Sequence, residues 1–296
     1  MPMPPAGAQL IYRSHDADEP ASRAAREELL HDVFGLDLRA LDILDARDSS
    51  YTPFSYFDAR GRCIANVGVF PMPMVVRGQR IDALAIQSVA VRPEHRRHGL
   101  CRDLLSRALA WCDAHARLVL LRTAIPDLYA RFGFREMPQH CFVGLAPVPD
   151  AGGPNSARAI ALPADLALVK RLLRGRSPVS DRVGLLAHGP MFLLNIAAMD
   201  RFRLHHLPMV DAIIVSEAAA AGQFRLIDIV GRRIPPLASI LGALAIRPDR
   251  VEICFPPDKL HYVGDARPID AATVLMARGN FVDASERFML PPTSDF

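Results

Sequence analysis

The sequence predicts a mixed-sheet α/β (α+β) protein made of two halves that share one rhythm of strands and helices. Three observations predict it. Residues 1–146 run strand, two helices, three strands, helix, strand, helix, strand. A stretch rich in Pro, Gly and Asp comes next at 147–154 and reads as a linker. Beyond it a similar order returns over 155–296, at a period far too long for a solenoid, which points to domain duplication. The 296 residues, 50% hydrophobic and 23% charged, are enough for two packed cores.

Residues 10–12 read as the first strand. Over 21–34, Leu29, Leu30, Val33 and Phe34 fall on one side of a helix, and 36–46 continue as a second. Residues 54–57 and 63–70 form a hairpin that turns at Gly61, and a further strand runs over 81–91. The helix over 100–116 buries Leu104, Leu105, Ala108 and Trp111-Cys112, and 118–122 is a short, central apolar strand. A brief helix over 127–132 is capped by Gly133, and Phe142-Val143 begins the strand that closes this half. In the second half, 166–173 is helical and three strands come after it at 202–207, 212–216 and 224–230. A helix over 236–244 and strands at 251–255 and 273–277 complete it, and residues 1–8 read as a loose tail.

The chemistry concentrates where the strand Ser88-Val89-Ala90-Val91 runs through Arg92-Pro93 into His95-Arg96-Arg97-His98-Gly99-Leu100-Cys101-Arg102. A basic turn and a glycine open a helix, so unpaired backbone N–H groups and arginines converge at a helix N-terminus, an arrangement that binds phosphate oxygens. A Walker loop is excluded because the stretch has no lysine. The dinucleotide fingerprint is excluded because Gly99 stands alone, after at least two strands. What remains is Arg-x-x-Gly-x-small, carried by Arg96, Gly99 and Cys101. A solvated basic turn would share the charge but not this strand–turn–helix order.

This stretch resembles the acetyl-CoA loop of the GNAT acetyltransferase superfamily, with Cys101 where that loop usually has Gly or Ala. The order of elements in the first half matches the same fold. The resemblance implies that Val89, Ala90 and Val91 bind the acetyl and pantetheine arm through backbone, and that Arg96, Arg97, His98, Gly99, Leu100, Cys101 and Arg102 cradle the pyrophosphate. Leu128-Tyr129-Ala130-Arg131-Phe132-Gly133-Phe134 looks like the superfamily's Tyr-x-x-Phe/Leu-Gly-Phe element, whose tyrosine acts as acid. A phenol with pKa near 10 keeps its proton at neutral pH; the alternative is a packed tyrosine. In the second half Val230-Gly231-Arg232-Arg233-Ile234-Pro235-Pro236 stands where the cradle would be, and prolines replace the glycine turn. The whole chain therefore resembles the tandem Eis-like (enhanced intracellular survival) aminoglycoside acetyltransferases, an active GNAT domain followed by a degenerate one. It lacks the length for their third, sterol-carrier-like domain. That resemblance implies that the carboxylate of Phe296 is the base and that Asp295 attracts a cationic acceptor; a frayed tail is the alternative. Glu28 and Asp32 on the first helix are candidate acceptor-binding carboxylates, or part of a solvated face.

Composition excludes other classes. A net charge of +3 is too small to argue for nucleic acid. No apolar run reaches membrane-span length, and Met1-Pro2-Met3-Pro4-Pro5 does not open a signal peptide. Cys63, Cys101, Cys112, Cys141 and Cys254 are scattered and odd in number, which predicts reduced thiols, a cytoplasmic setting and no zinc site. His205-His206 lies on a strand, so the two rings point to opposite faces and no metal is expected. The expectation is an acetyl-CoA-dependent N-acetyltransferase acting on a primary amine of a small cationic molecule, with an aminoglycoside-type antibiotic and resistance as the candidate acceptor and role, and with a homo-oligomer left open. A peptide N-acetyltransferase and a non-catalytic acyl-CoA sensor are the competing readings.

Overall fold

The computed structural model describes residues 10–47, 49–151, 157–186, 189–283 and 285–296. The predicted N-terminal tail and residues 152–154 of the predicted linker lie outside them. In chain order the first half runs β1 (Ile11–Ser14), α1 (Pro20–Phe34), α2 (Arg39–Ile43), β2 (Thr52–Phe57), β3 (Cys63–Pro71), β4 (Met74–Val76), β5 (Gln79–Ile81), β6 (Leu84–Val91), α3 (Leu100–His115), β7 (Leu118–Thr123), α4 (Pro126–Ala130), β8 (Arg135–Glu136) and β9 (His140–Leu145). The second half runs β10 (Arg158–Ala159), α5 (Leu166–Arg174), β11 (Val183–Leu185), α6 (Gly189–Ala198), β12 (Phe202–Leu207), β13 (Ala212–Glu217), β14 (Gln223–Gly231), α7 (Leu237–Ala243), β15 (Arg250–Ile253), β16 (Asp265–Pro268) and β17 (Val274–Gly279).

Local sequence explains the two helices that frame the first sheet. Glu19 caps α1 by accepting from the backbone N–H of Ala21 and Ser22, Pro20 occupies its first turn, and Gly35 ends it in the left-handed conformation at φ 68°. Its Leu29 and Leu30 pack on Phe57, Cys63 and Ala90. On the opposite face α3 sets Leu104, Leu105, Ala108 and Cys112, at helical spacing, against Val67, Val69, Leu84, Ile86, Val119 and Leu121.

Two seven-stranded sheets are wired alike. The first has the order β1-β2-β3-β6-β7-β17-β8 and the second β10-β12-β13-β14-β15-β9-β16. In each, three antiparallel strands lead to a parallel pair, β6 with β7 and β14 with β15. The expected closing strands are exchanged. β9, expected to close the first sheet, pairs with β15 and β16 in the second. β17, expected in the second half's sheet, runs the length of β7 in the first and also pairs with β8. A small third sheet, β11-β4-β5, joins the halves again. One core consequently draws on both, with Phe70, Met74, Leu120, Val183, Met191 and Phe288 among its members. The predicted strand over 81–91 is broken, with β5 in the small sheet and β6 in the large one. Helix α6 has no counterpart among the predicted elements.

Candidate active site: a forked sheet, a helix start and the chain end

The parallel ladder between β6 and β7 is short. It pairs Leu84, Ala85 and Ile86 with Val119, Leu120 and Leu121 and ends there. Beyond it β6 continues to Val91 and β7 to Thr123, so two strand edges part and form a fork. The cause is a bulge in β6. Between Asn66 and Gly68 of β3 the register slips, so that Ala90 faces Asn66 but Gln87 faces Gly68. The extra residue is Ser88, held at a positive φ of 56°. Asn66, fully buried, pins it. Its amide donates to the Ser88 carbonyl at 2.9 Å and to the Tyr51 hydroxyl at 3.1 Å, while its carbonyl accepts from the Ser55 hydroxyl at 2.8 Å. Tyr51 lies where a Cβ on Gly68 would sit, 2.2 Å from its hydroxyl oxygen, so that position requires glycine. The bulge also changes the phase of the strand. Leu84 and Ile86 face α3, and past Ser88 it is Val89 and Val91 that do, with Ala90 turned to α1.

At the mouth of the fork Pro93–His95 form one 3₁₀ turn. Arg97 (φ 66°) and Gly99 (φ 82°) then turn left-handed, and α3 begins at Leu100. Gly99 caps the helix without a side chain, so the first-turn N–H groups of Leu100, Cys101 and Arg102 face outward without a capping oxygen. Arg96 is laid back along the strand, its Nε donating to the Val91 carbonyl at 3.1 Å. Arg97 and Arg102 are exposed beside the helix start. Tyr129, on α4, is buried beside Phe134, their ring centroids 6.2 Å apart. Burial raises its phenol pKa above the ordinary value, with the nearby Cys101 adding to the shift. The structure thus brings Tyr129 to the start of α3.

The chain end arrives on the other face of the fork. Phe296 packs against the core shared by the halves, its ring edge-on to Phe70 with centroids 5.7 Å apart. Asp295 pairs at 3.1 Å with Arg122, the first residue of β7 beyond the ladder. Arg122 is itself buried and donates to Gln139 at 2.6 Å. Burial raises the Asp295 carboxyl above the usual carboxylate value, with Arg122 and Arg201 opposing. The side-chain amide of Asn195, on α6, donates to the Asp295 carbonyl at 2.8 Å and to the Thr293 carbonyl at 3.1 Å.

Glu28 and Asp32 are drawn elsewhere. Both bind Arg92, whose buried guanidinium donates to Glu28 at 3.0 Å, to Asp32 at 2.5 Å and to the Cys63 carbonyl at 2.7 Å. The Arg92 hydrogen bond holds the Asp32 carboxyl below the usual range. They tie α1 to the end of β6. Sequence reasoning missed Asn66, Arg92, Arg122 and Asn195, because each gains its role only from partners far along the chain. A cavity of about 440 Å³ on the second sheet, lined by Arg203, His205, Gln223, Phe224 and Arg247, is not formed by any of the fork residues.

The second sheet has a counterpart of this fork, closed. The parallel ladder ends at Leu226 and Ile253, where β15 stops and β14 runs on to Gly231. Asp228, fully buried just beyond, accepts from Arg176 at 2.8 Å and from the Thr293 hydroxyl at 2.6 Å. The chain's own tail and a buried ion pair fill the place that stays open in the first sheet.

Residues 42–137, which span β2 to β8 and hold the fork, the helix start and Tyr129, match the family model of the acetyltransferase (GNAT) domain. The chain carries a GNAT acetyltransferase domain. It is an acyltransferase, and acetyl-CoA is its acyl donor. Solved structures align with both halves of the chain together. A probable N-acyltransferase from Enterococcus faecalis V583 covers 92% of this chain with 73% of its own, at 14% identity and TM-score 0.59. Eis1 from Mycobacterium abscessus gives the same coverage at 16% identity and TM-score 0.57. A GCN5-related N-acetyltransferase from Kribbella flavida covers 91% of this chain with 72% of its own, at 16% identity and TM-score 0.54. At such identities the likeness is one of fold. No curated protein matches the sequence. Among the described residues no helix is long and apolar enough to cross a membrane.

Proposed function

We propose that this protein transfers the acetyl group of acetyl-CoA to a primary amine of a small cationic molecule by direct attack on the thioester, with an aminoglycoside-type antibiotic as the acceptor class. Residues 1–146 are the catalytic unit and 155–296 a degenerate GNAT-like unit. What supports the reading is a fork that carries a helix start with uncapped N–H groups, the Tyr129 phenol beside Cys101 of that start, and the Asp295–Arg122 pair that brings the chain end to β7. The Val89–Val91 backbone edge holds the pantetheine arm and the thioester carbonyl. The first-turn N–H groups of Leu100, Cys101 and Arg102, with Arg97 and His98, hold the pyrophosphate. The carboxylate of Phe296 takes the ammonium proton, through a water because a carboxylate is a weak base. The C–N bond forms, the tetrahedral intermediate loses its second nitrogen proton to solvent and collapses, the C–S bond breaks, and Tyr129 protonates the departing thiolate and is reprotonated from solvent. Asp295, paired with Arg122, stands on the acceptor side in this reading. All five cysteines are free thiols, which supports a cytoplasmic setting.

A second acceptor class has its own support. Glu27, Glu28, Asp32, Asp37 and Asp42 on and beside α1 and α2 are all paired with arginines, which leaves little free negative charge for a polycation and favours the single amine of a peptide. A panel of aminoglycosides, polyamines and peptides, assayed by release of free CoA, decides between them. Turnover confined to the cationic antibiotics supports the first class and turnover confined to peptides the second. CoA binding without turnover of any amine overturns the catalytic reading in favour of a sensor.

A further inference from the structure

The closed fork of the second sheet and the docked chain end are parts of one device. The last peptide is gripped on three sides. Its carbonyl side, at Asp295, accepts from the buried Asn195 amide of α6. The Asp295 side chain is paired with Arg122 of β7. The Phe296 ring rests on Phe70 of β3. Two residues earlier, Thr293 is fastened to Asp228, and Asp228 to Arg176, in a cluster that is almost wholly buried. Asn195 spans both levels, because it also donates to the Thr293 carbonyl. Among the described residues these second-half groups make their hydrogen bonds and ion pairs with one another and with the tail, not with the Val89–Val91 edge or the helix start. What they share is the path of the tail.

We propose that Asn195 is a positioning residue that acts through the terminal carboxylate, and that the second half serves catalysis by holding that carboxylate at the fork of the first. The inference rests on the reading of Phe296 as base. A chain end has free torsions on both sides of its last Cα, so a carboxylate tethered only at Pro291 would sweep a volume much larger than the site. Catalytic geometry tolerates little of this: a displacement of about 1 Å can cost on the order of 10²-fold in rate. Asn195 removes the freedom by fixing two carbonyls of the tail with one amide, while Phe70 and Arg122 fix the rest from the first half.

The test is a double-mutant cycle on the full chain. One arm is Asn195→Leu, which keeps the branched outline of the side chain and deletes both donors. Asn195→Ala is made in parallel in case the leucine is not accommodated, and CoA titration with thermal melting verifies that each variant is folded. The other arm appends two glycines after Phe296, turning its carboxylate into an amide. The extension should abolish most of kcat. Asn195→Leu should lower kcat roughly 10- to 100-fold in the native-length chain. The KM for acetyl-CoA should be unchanged, and in the extended chain Asn195→Leu should have no further effect. If the extension slows the enzyme but the two losses multiply, Asn195 is only a packing residue and the inference falls while the base reading stands. If the extension leaves kcat intact, the base reading falls and takes the inference with it.

Discussion

Replacing Asn66 by alanine isolates the feature that opens the fork. Asn66 makes three side-chain hydrogen bonds in a fully buried setting, to Ser55, Tyr51 and the Ser88 carbonyl. At about 1 kcal/mol net for each, the loss amounts to about 3 kcal/mol of stability. For a chain of this size that lowers Tm by roughly 6–12 °C. The more telling consequence lies in the cofactor site. Without its pin the Ser88 bulge, at positive φ, has nothing to hold it against regular pairing with β3. A strand that regains regular pairing shifts phase by one residue, which turns Val89 and Val91 off the α3 face and changes which N–H groups meet the open edge. The CoA Kd measured by isothermal titration at a temperature where the variant is folded should rise at least about tenfold, close to 1.4 kcal/mol. A variant that melts early yet binds CoA as tightly as the parent refutes the argument, because it would mean that the bulge stabilises the sheet without presenting the backbone to the ligand.

Gly99→Asp tests the helix start. Aspartate tolerates the left-handed φ of 82° better than most residues and a Cβ there meets no atom within 4 Å, so the fold persists. A carboxylate beside the pyrophosphate should weaken CoA binding by several kcal/mol, and unchanged affinity by titration removes the cradle assignment. Tyr129→Phe should lower kcat roughly 10²-fold with little change in CoA affinity. Because burial raises the phenol pKa, protonation is favoured to higher pH, so the parent should show no loss of kcat from this group up to about pH 10. Full turnover by Tyr129→Phe would leave the residue a packing role. Arg92→Met tests the clamp on α1. The folded-state pKa of Asp32 lies below its unfolded value, so the pair's stabilisation is complete above about pH 4 and fades as pH falls through the folded pKa. Melting curves across pH 2–6 should lose that part of the acid dependence in the variant, and superimposable pH profiles would show that the pair contributes nothing.

How much of the fold and site is legible in the sequence depends on how local each feature is. The helix start can be read because Arg96, Gly99 and the preceding apolar strand lie within a dozen residues and carry their own chemistry. The strand exchange cannot. Phe142-Val143 and Val274 onward both read correctly as short apolar strands, but nothing within such a segment names its partner, and each joins the sheet of the opposite half. Helix α6 is hidden for a related reason. Met191 faces the core shared by the halves while Phe192 and Leu193 face another, so the segment is apolar all round and shows no helical stripe. Glu28 and Asp32 look like a free acidic face because Arg92, which neutralises them, lies about sixty residues away in the chain.

The exchanged strands also bear on how the protein comes into being. The first sheet obtains the neighbour of β7 only from residues Val274–Gly279, so during synthesis the first half waits, one edge bare, for nearly the whole chain to emerge. Until then β7 exposes unpaired backbone groups of the kind that recruit foreign strands. The nascent first half is therefore the stage most exposed to aggregation and to capture by chaperones. Once β9 and β17 have crossed, neither sheet can open without disturbing the other, and the two halves should unfold together in a single transition.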